Sequence, residues 1–303
     1  MKLTTISLNK EHIIAAVCED EQVYIDLPKA QKTKGGTLEI PSSMLEAIRL
    51  GASFLEEAER TVNWALAEPQ ESYVYRFDDE LIRREAPIPV PVKNVMCAGK
   101  NYAEHAIEMG SKADIPGHPI IFTKSPTTVI GPDDEIEAHQ NVTSALDYEG
   151  EIAVIIGKKG RAIAKEEAHD YIFGYTLLND VTARDLQSRH KQFFLGKSLD
   201  SFCPMGPYIV PATHINIDHS TLTTRVNGEI RQESTVDKMI FSIAELLEII
   251  SRGMSLEPGD IIATGTPAGV GKGFTPPKYL KGGDEVSIEV DGLGMLKNKV
   301  NSG

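Results

Sequence analysis

Residues 146–157 read LDYEGEIAVIIG and set three carboxylates, Asp147, Glu149 and Glu151, two residues apart at the entrance to an apolar run. In an extended chain alternate side chains share a face, so the three would point one way and repel. Two readings answer that repulsion. Acidic residues at period two can be the solvated face of a half-exposed strand. Alternatively, a hard divalent cation gathers them, because Mg²⁺ and Mn²⁺ take oxygen ligands and turn repulsion into attraction. A later apolar run, YIFGYTLLND, ends in Asp180. Acidic side chains at the ends of two core strands can converge on one point, which makes Glu149, Glu151 and Asp180 a candidate metal triad.

The stretch after Asp180, VTARDLQSRHKQFFLGKS, supplies Arg184, Gln187 and Lys197. Cations beside a carboxylate-held metal suit an anionic substrate whose carboxylate needs a partner. The same composition also fits a solvated polar loop or helix face. Upstream, CAGKNYAEHAIEMG places His105 and Glu108 at i and i+3, neighbours on one helical face. A carboxylate beside an imidazole orients the ring and raises its basicity, a general-base arrangement that surface pairs also mimic. Cys97 in that stretch reads as a small buried residue. There is no HExxH and no histidine cluster at zinc spacing. TGTPAGVGKG invites comparison with a phosphate loop, but aligning Gly271-Lys272 with the Gly-Lys of that motif puts Thr266 where its first glycine belongs. Gly273 also stands where Ser or Thr is required. A nucleotide triphosphatase is excluded, while a Gly-rich turn can still offer backbone N–H groups to a carboxylate.

These residues need elements to hold them. LTTISL, HIIAAVC and QVYIDL alternate like strands, and a long helical pattern follows from Ser43 to Ala67, opened by a Ser43-x-x-Glu46 capping box. The Pro-rich segment Arg84–Asn94 reads as an extended connection. It places a boundary between a small N-terminal α/β unit, residues 1–86, and the remainder, 87–303. Beyond it IIFTK, EIAVIIG, FGYTLLND, GPYIV, TTRVNGEI, GDIIATG and DEVSIEV read as strands. Helices are expected only around Asn101–Met109 and Ser242–Arg252, the second with a Ser242-x-x-Glu245 box. Many strands with few crossover helices indicate a β-rich α+β fold.

At 303 residues, 41% hydrophobic and 25% charged, the chain can bury a sizeable core. A net charge of -13 argues against nucleic acid and anionic lipid as partners. Three scattered cysteines, Cys18, Cys97 and Cys203, make neither a disulfide framework nor a zinc ribbon, and suggest a reducing cytoplasm. No apolar run has the length of a signal peptide or a membrane span, so neither secretion nor membrane insertion is expected.

Taken together, GKNYAEHAIEM, DYEGE, NDVTARDLQ, FFLGKS, CPMGP and GDIIATGTPAGVG resemble the fumarylacetoacetate hydrolase superfamily, in the family's order, from Val95 to Val300. The resemblance implies a mixed β-roll catalytic domain, usually a homodimer, binding one Mg²⁺ or Mn²⁺. Carried over by position, Glu149, Glu151 and Asp180 match the family's metal ligands. Arg184, Gln187 and Lys197 match its pocket lining, and Thr266 its contact to the substrate carboxylate. His105 and Glu108 match the dyad on a segment that orders over the ligand. Asp147 has no such counterpart and is left to support the strand end.

Family members act on small anionic 2-oxo acids. The same residues could serve two chemistries: release of CO₂ from oxaloacetate through an enolate, with His105 and Glu108 moving protons in keto–enol exchange, or hydrolysis of an acylpyruvate or fumarylpyruvate by an activated water. The N-terminal unit and GKGFTPPKYL resemble bacterial members that decarboxylate oxaloacetate, so the resemblance favours an oxaloacetate decarboxylase releasing pyruvate and CO₂, with the acylpyruvate hydrolase as runner-up. Lys100, Lys124 and Arg189 are available to meet a dianion. An isomerase of hydroxymuconate-type substrates and a non-catalytic scaffold of the same fold are the remaining alternatives.

Overall fold

A computed structural model describes residues 1–36 and 38–302. Its spine is a long, mostly antiparallel sheet. In order, the strands are Val74–Arg76, Val23–Asp26, Glu11–Cys18, Lys2–Leu8, Cys203–Pro211, Ile172–Asn179, Gly150–Ile156, Ile261–Ala263, Val95–Gly99 and Ile120–Lys124. The N-terminal strands therefore continue the sheet of the C-terminal region, with Leu3 opposite Ile209. A second sheet runs Glu229–Thr235, Thr221–Val226, Glu285–Val290, Gly294–Val300 and Glu135–Ile136. The chain has the strand-rich α+β architecture expected of it.

Apolar side chains on one face of the spine, among them Ile152, Val154, Leu177 and Val210, pack against Leu222, Ile288 and Leu296 of the second sheet. On the other face Ala153, Ile155, Phe173 and Ile209 share a core with Leu3, Phe54 and Ile48 of the N-terminal unit. Phe54 stacks on Phe173 with ring centroids 6.5 Å apart. Strands buried on both faces read as continuous apolar runs, which is why IAVIIG lacks alternation.

The helices depart from expectation in several places, among them Arg184–His190 and Phe194–Lys197, which carry site residues where no helix was expected. The pattern from Ser43 to Ala67 is two helices, Met44–Leu50 and Ala52–Ala67, broken at Gly51 (φ +57). A left-handed residue closes the first helix, and glycine takes that conformation without a Cβ penalty. Ser43 does cap the first, accepting from Glu46 N–H at 3.3 Å. A further helix, Leu27–Lys34, starts inside the stretch read as strand, because Asp26 accepts from Lys29 N–H at 2.9 Å and Pro28 suits the first turn. Ser242 and Glu245 form the full capping box of Ile243–Ser251. No described helix is long and apolar enough to cross a membrane.

Candidate metal centre and active site

Strand pairing makes the convergence. Gly150–Ile156 runs antiparallel to Ile172–Asn179 with Gly150 opposite Asn179, so the start of one strand meets the end of the other. Asp180 N–H extends the ladder to the Glu149 carbonyl at 2.8 Å, and the Asn179 side chain accepts from Glu149 N–H at 3.0 Å. Glu149 and Glu151, two apart, emerge on one face beside Asp180. One oxygen from each of the three lies within 4.8 Å of the others, and all three residues are buried.

Asp147 does not join them. The period-two expectation ends at Glu149, because residues 146–147 leave the main sheet to pair with Thr182–Ala183. The Asp147 carboxylate instead accepts from Arg184 Nε at 2.8 Å, Gly271 N–H at 2.7 Å and Lys272 N–H at 3.0 Å.

The cations divide by task. Lys197 Nζ bridges Glu149 Oε2 and Asp180 Oδ2, each at 2.7 Å. Arg184 joins Asp147 to Glu149, with Nη2 2.7 Å from Glu149 Oε1, and reaches Gln187 Oε1 at 3.2 Å. Against the desolvation that burial imposes, Lys197 and Arg184 hold Glu149 below the usual carboxylate range. Glu151 is the opposite case. Desolvation, then Asp180 and Glu149, push it well above that range, with Gly265 N–H at 2.7 Å in partial compensation. Lys197 stays charged despite desolvation, because Asp180 and Glu149 face it.

Lys124 was expected to face a dianionic substrate. It is fully buried, with Nζ donating to Asp180 Oδ1 at 2.5 Å and to the Val181 carbonyl at 3.0 Å, so it steadies that carboxylate from behind. Arg189 is exposed. Lys100 lines the pocket, with Asp114 3.4 Å away.

The pocket, about 370 Å³ with its mouth, is walled by Glu149, Glu151, Arg184, Gln187, Lys197 and His105, among others. His105 is buried, its Nδ1 3.4 Å from Glu108 Oε2. Gly269 N–H donates to both Glu108 oxygens, at 2.9 and 3.1 Å, and so docks the helix Ala103–Glu108 on the Gly-rich turn. Thr266 lines the pocket too, but its hydroxyl donates to the Gly150 carbonyl at 2.9 Å and accepts from Gln232 Nε2 at 2.7 Å. Its single hydroxyl hydrogen is thereby engaged. Cys97 is buried, and desolvation, then Asp180 and Glu151, push its thiol well above the ordinary range, which leaves no thiolate for nucleophilic work.

Sequence reasoning missed the aromatic wall. Phe122 and Phe193 meet edge to face at 5.4 Å, and Lys197 Nζ sits 5.0 Å above the Phe122 ring. Phe193 stands in the quoted FFLGKS stretch, but nothing in that pattern tells which phenylalanine turns inward.

A divalent cation fits this donor set. Three buried oxygens converge, all hard ligands, and one carboxylate lacks a cation of its own. Residues 94–301 match the family model for the fumarylacetoacetate (FAA) hydrolase C-terminal region. The chain belongs to the fumarylacetoacetate hydrolase family. Over 301 residues, 99% of this chain and 100% of the relative, it is 52% identical to oxaloacetate tautomerase YisK of Bacillus subtilis. Among solved structures it matches a fumarylacetoacetate hydrolase from psychrophilic Exiguobacterium antarcticum, with 40% identity, TM-score 0.83 and full coverage of both chains. A 5-carboxymethyl-2-hydroxymuconate delta-isomerase from Mycobacterium smegmatis follows at 31% identity and TM-score 0.74, again with both chains fully covered.

Proposed function

We propose that this protein is a Mg²⁺- or Mn²⁺-dependent enzyme of oxaloacetate that moves a proton at C3 and so interconverts keto and enol forms. Decarboxylation would start from the keto form, break C3–C4 to release CO₂ and leave the pyruvate enolate, whose charge develops on the same 2-oxo oxygen and which is then protonated at C3. The observation that carries the reading is the buried His105, backed by Glu108, on the wall of the pocket that Glu149 and Glu151 of the acidic triad also line. Glu149, Glu151 and Asp180 would hold the ion, which supplies Lewis-acid stabilisation of charge developing on the 2-oxo oxygen.

The chain's own groups do the rest. His105 would take the C3 proton and return it to oxygen or carbon. Glu108, fixed by Gly269 N–H, would hold the ring in the tautomer that exposes its other nitrogen to the pocket. Lys197, with its charge sustained by Glu149 and Asp180, would add positive potential beside the enolate oxygen. Arg184 and Gln187 would orient the substrate carboxylate from the wall. The full-length similarity to an enzyme named as an oxaloacetate tautomerase supports this substrate.

The test follows the enol's ultraviolet absorbance and pyruvate release in parallel, with metal-stripped protein, with Mn²⁺ restored, and with His105→Gln. Free divalent ions decarboxylate oxaloacetate unaided, so Glu149→Ala is the control. Saturable enol–keto exchange above that control, lost in His105→Gln, is the expected result. Pyruvate release that survives His105→Gln, without exchange, would make the enzyme a decarboxylase in which the dyad has no chemical part. Cleavage of an acylpyruvate with neither oxaloacetate reaction would make it a hydrolase.

A further inference from the structure

The inner end of the pocket nearly balances its own charge. Asp147, Glu149 and Asp180 are gripped by Lys124, Lys197 and Arg184, while Glu151 has no cation of its own. With all four carboxylates ionised, as an ion among them would require, four negative charges face three positive ones, a net charge of minus one. A divalent ion in the triad would make that plus one, and one substrate carboxylate beside it would return the centre to zero. A dicarboxylate carries a second negative charge that none of these groups is left to meet. Its partner has to lie further out.

Lys124 is committed to Asp180 and Arg189 is exposed, so neither serves. Lys272, in the Gly-rich turn, lies outside the pocket's lining but is tied to its wall arginine through Asp147. Its backbone N–H donates to Asp147 Oδ2, the same oxygen that grips Arg184 on the pocket wall. The next residue, Gly273, abuts Glu108 so closely that a Cβ there would collide with the carboxylate. Residue 272 is thus fixed between the arginine of the wall and the glutamate of the dyad. Its side chain is half-buried and pairs with no carboxylate among the described residues. Desolvation, with Arg184 and Lys100 nearby, holds its pKa below the ordinary lysine value, against a partial pull from Asp147. Lys100 has Asp114 3.4 Å away, and Arg184 has Asp147 and Glu149. Lys272 is thus the cation of the three with no carboxylate partner among the described residues, and a half-buried ammonium near other cations becomes favourable when an anion joins it.

We infer that Lys272, together with Lys100 on the pocket wall, forms the subsite for the second carboxylate of a dicarboxylic 2-oxo acid. This rests on the proposed function for the placement of the first carboxylate. Lys272 is then a specificity-determining residue: it separates dianionic substrates from monoanionic acylpyruvates, which the inner pocket alone cannot tell apart.

Malate and its 4-methyl ester test this, since they share the carboxylate-plus-oxygen chelating end, lack a 2-oxo group to react and differ in the distal charge. Calorimetry on the full-length Mg²⁺-loaded protein should show malate bound about tenfold more tightly than the ester, the equivalent of one modest ion pair. Lys272→Met should weaken malate by about that factor and leave the ester unchanged, while Lys272→Arg should retain most of the preference. Equal weakening of both ligands in Lys272→Met would show a structural role through Asp147 and overturn the subsite. So would wild-type protein that fails to prefer the diacid. Turnover of oxaloacetate by the wild type, measured alongside, separates the two ideas. A Lys272-dependent preference without turnover keeps the subsite and sinks the reaction; turnover without the preference does the reverse.

Discussion

Asp147 is fully buried and accepts three hydrogen bonds across chain segments far apart in sequence, from Arg184 and from the backbone of Gly271 and Lys272. It shares the guanidinium of Arg184 with Glu149, and that group keeps its charge against desolvation because Asp147 and then Glu149 oppose it. Removing one member of a buried pair typically costs about 3–5 kcal/mol, because the other is left uncompensated. Asp147→Asn should therefore lower unfolding stability by about 3 kcal/mol in urea melts, a far larger effect than a surface substitution gives. The triad should behave the opposite way. Glu151 is neighboured by Asp180 and Glu149 and disfavoured as an anion, so Glu151→Gln relieves repulsion and keeps an acceptor for Gly265 N–H. That variant should melt no lower than the wild type without metal. A ligand at a hundred times its Kd stabilises by about 2.7 kcal/mol, so Mn²⁺ should raise the wild-type melting temperature visibly and Glu151→Gln hardly at all. An equal rise in both would remove Glu151 from the ion's ligands.

Elements explain which of these residues could be read from sequence. The triad was legible because period two and strand ends are local properties: Glu149 and Glu151 share a face, and the ladder that pairs Gly150 with Asn179 delivers Asp180. The destinations of Asp147 and Lys124 depend on segments that meet only in the fold, and charge alone gave no sign that one binds a turn and the other pairs with Asp180. Gly150, between the two glutamates, has a reason the sequence does not show. A Cβ there would collide with Thr224 of the second sheet, so the spine carries a glycine where the two sheets touch. The break at Gly51 was hidden inside an unbroken apolar stripe. Capping, by contrast, is local chemistry, and the box at Ser242 and Glu245 stands as read. Ser242→Ala should cost about 1 kcal/mol of stability. Lys165 and the capping contacts lower the Glu245 carboxyl from 4.5 to about 2. The folded value lies below the unfolded one, so its contribution is complete above about pH 4.5 and is lost as pH falls through about 2. The destabilisation by Ser242→Ala should accordingly shrink between pH 4.5 and pH 2, which melts across that range would measure.

At the scale of the whole molecule the question is how many parts fold together. The Pro-rich segment suggested a boundary at residue 86, yet the sheet crosses it. Lys2–Leu8 covers the edge of Cys203–Pro211, and the Thr5 hydroxyl donates to the Pro87 carbonyl at 2.8 Å. Phe54 and Ile48 lie on Phe173 and its neighbours, on the back of the strand that ends at the acidic triad. We propose that residues 1–86 and 87–303 form one cooperative unit, with the N-terminal part holding the back of the active-site sheet. Deleting residues 1–86 would bare a strand edge and an apolar face at once, both of which drive association. The fragment 87–303 should aggregate on expression and bind no Mn²⁺ in its soluble fraction, and supplying residues 1–86 as a separate chain should recover both solubility and metal binding. Size-exclusion chromatography with metal analysis of the eluted peak decides it. A monodisperse fragment that binds metal would instead make the N-terminal part a separate domain, attached to a catalytic unit that needs no support from it.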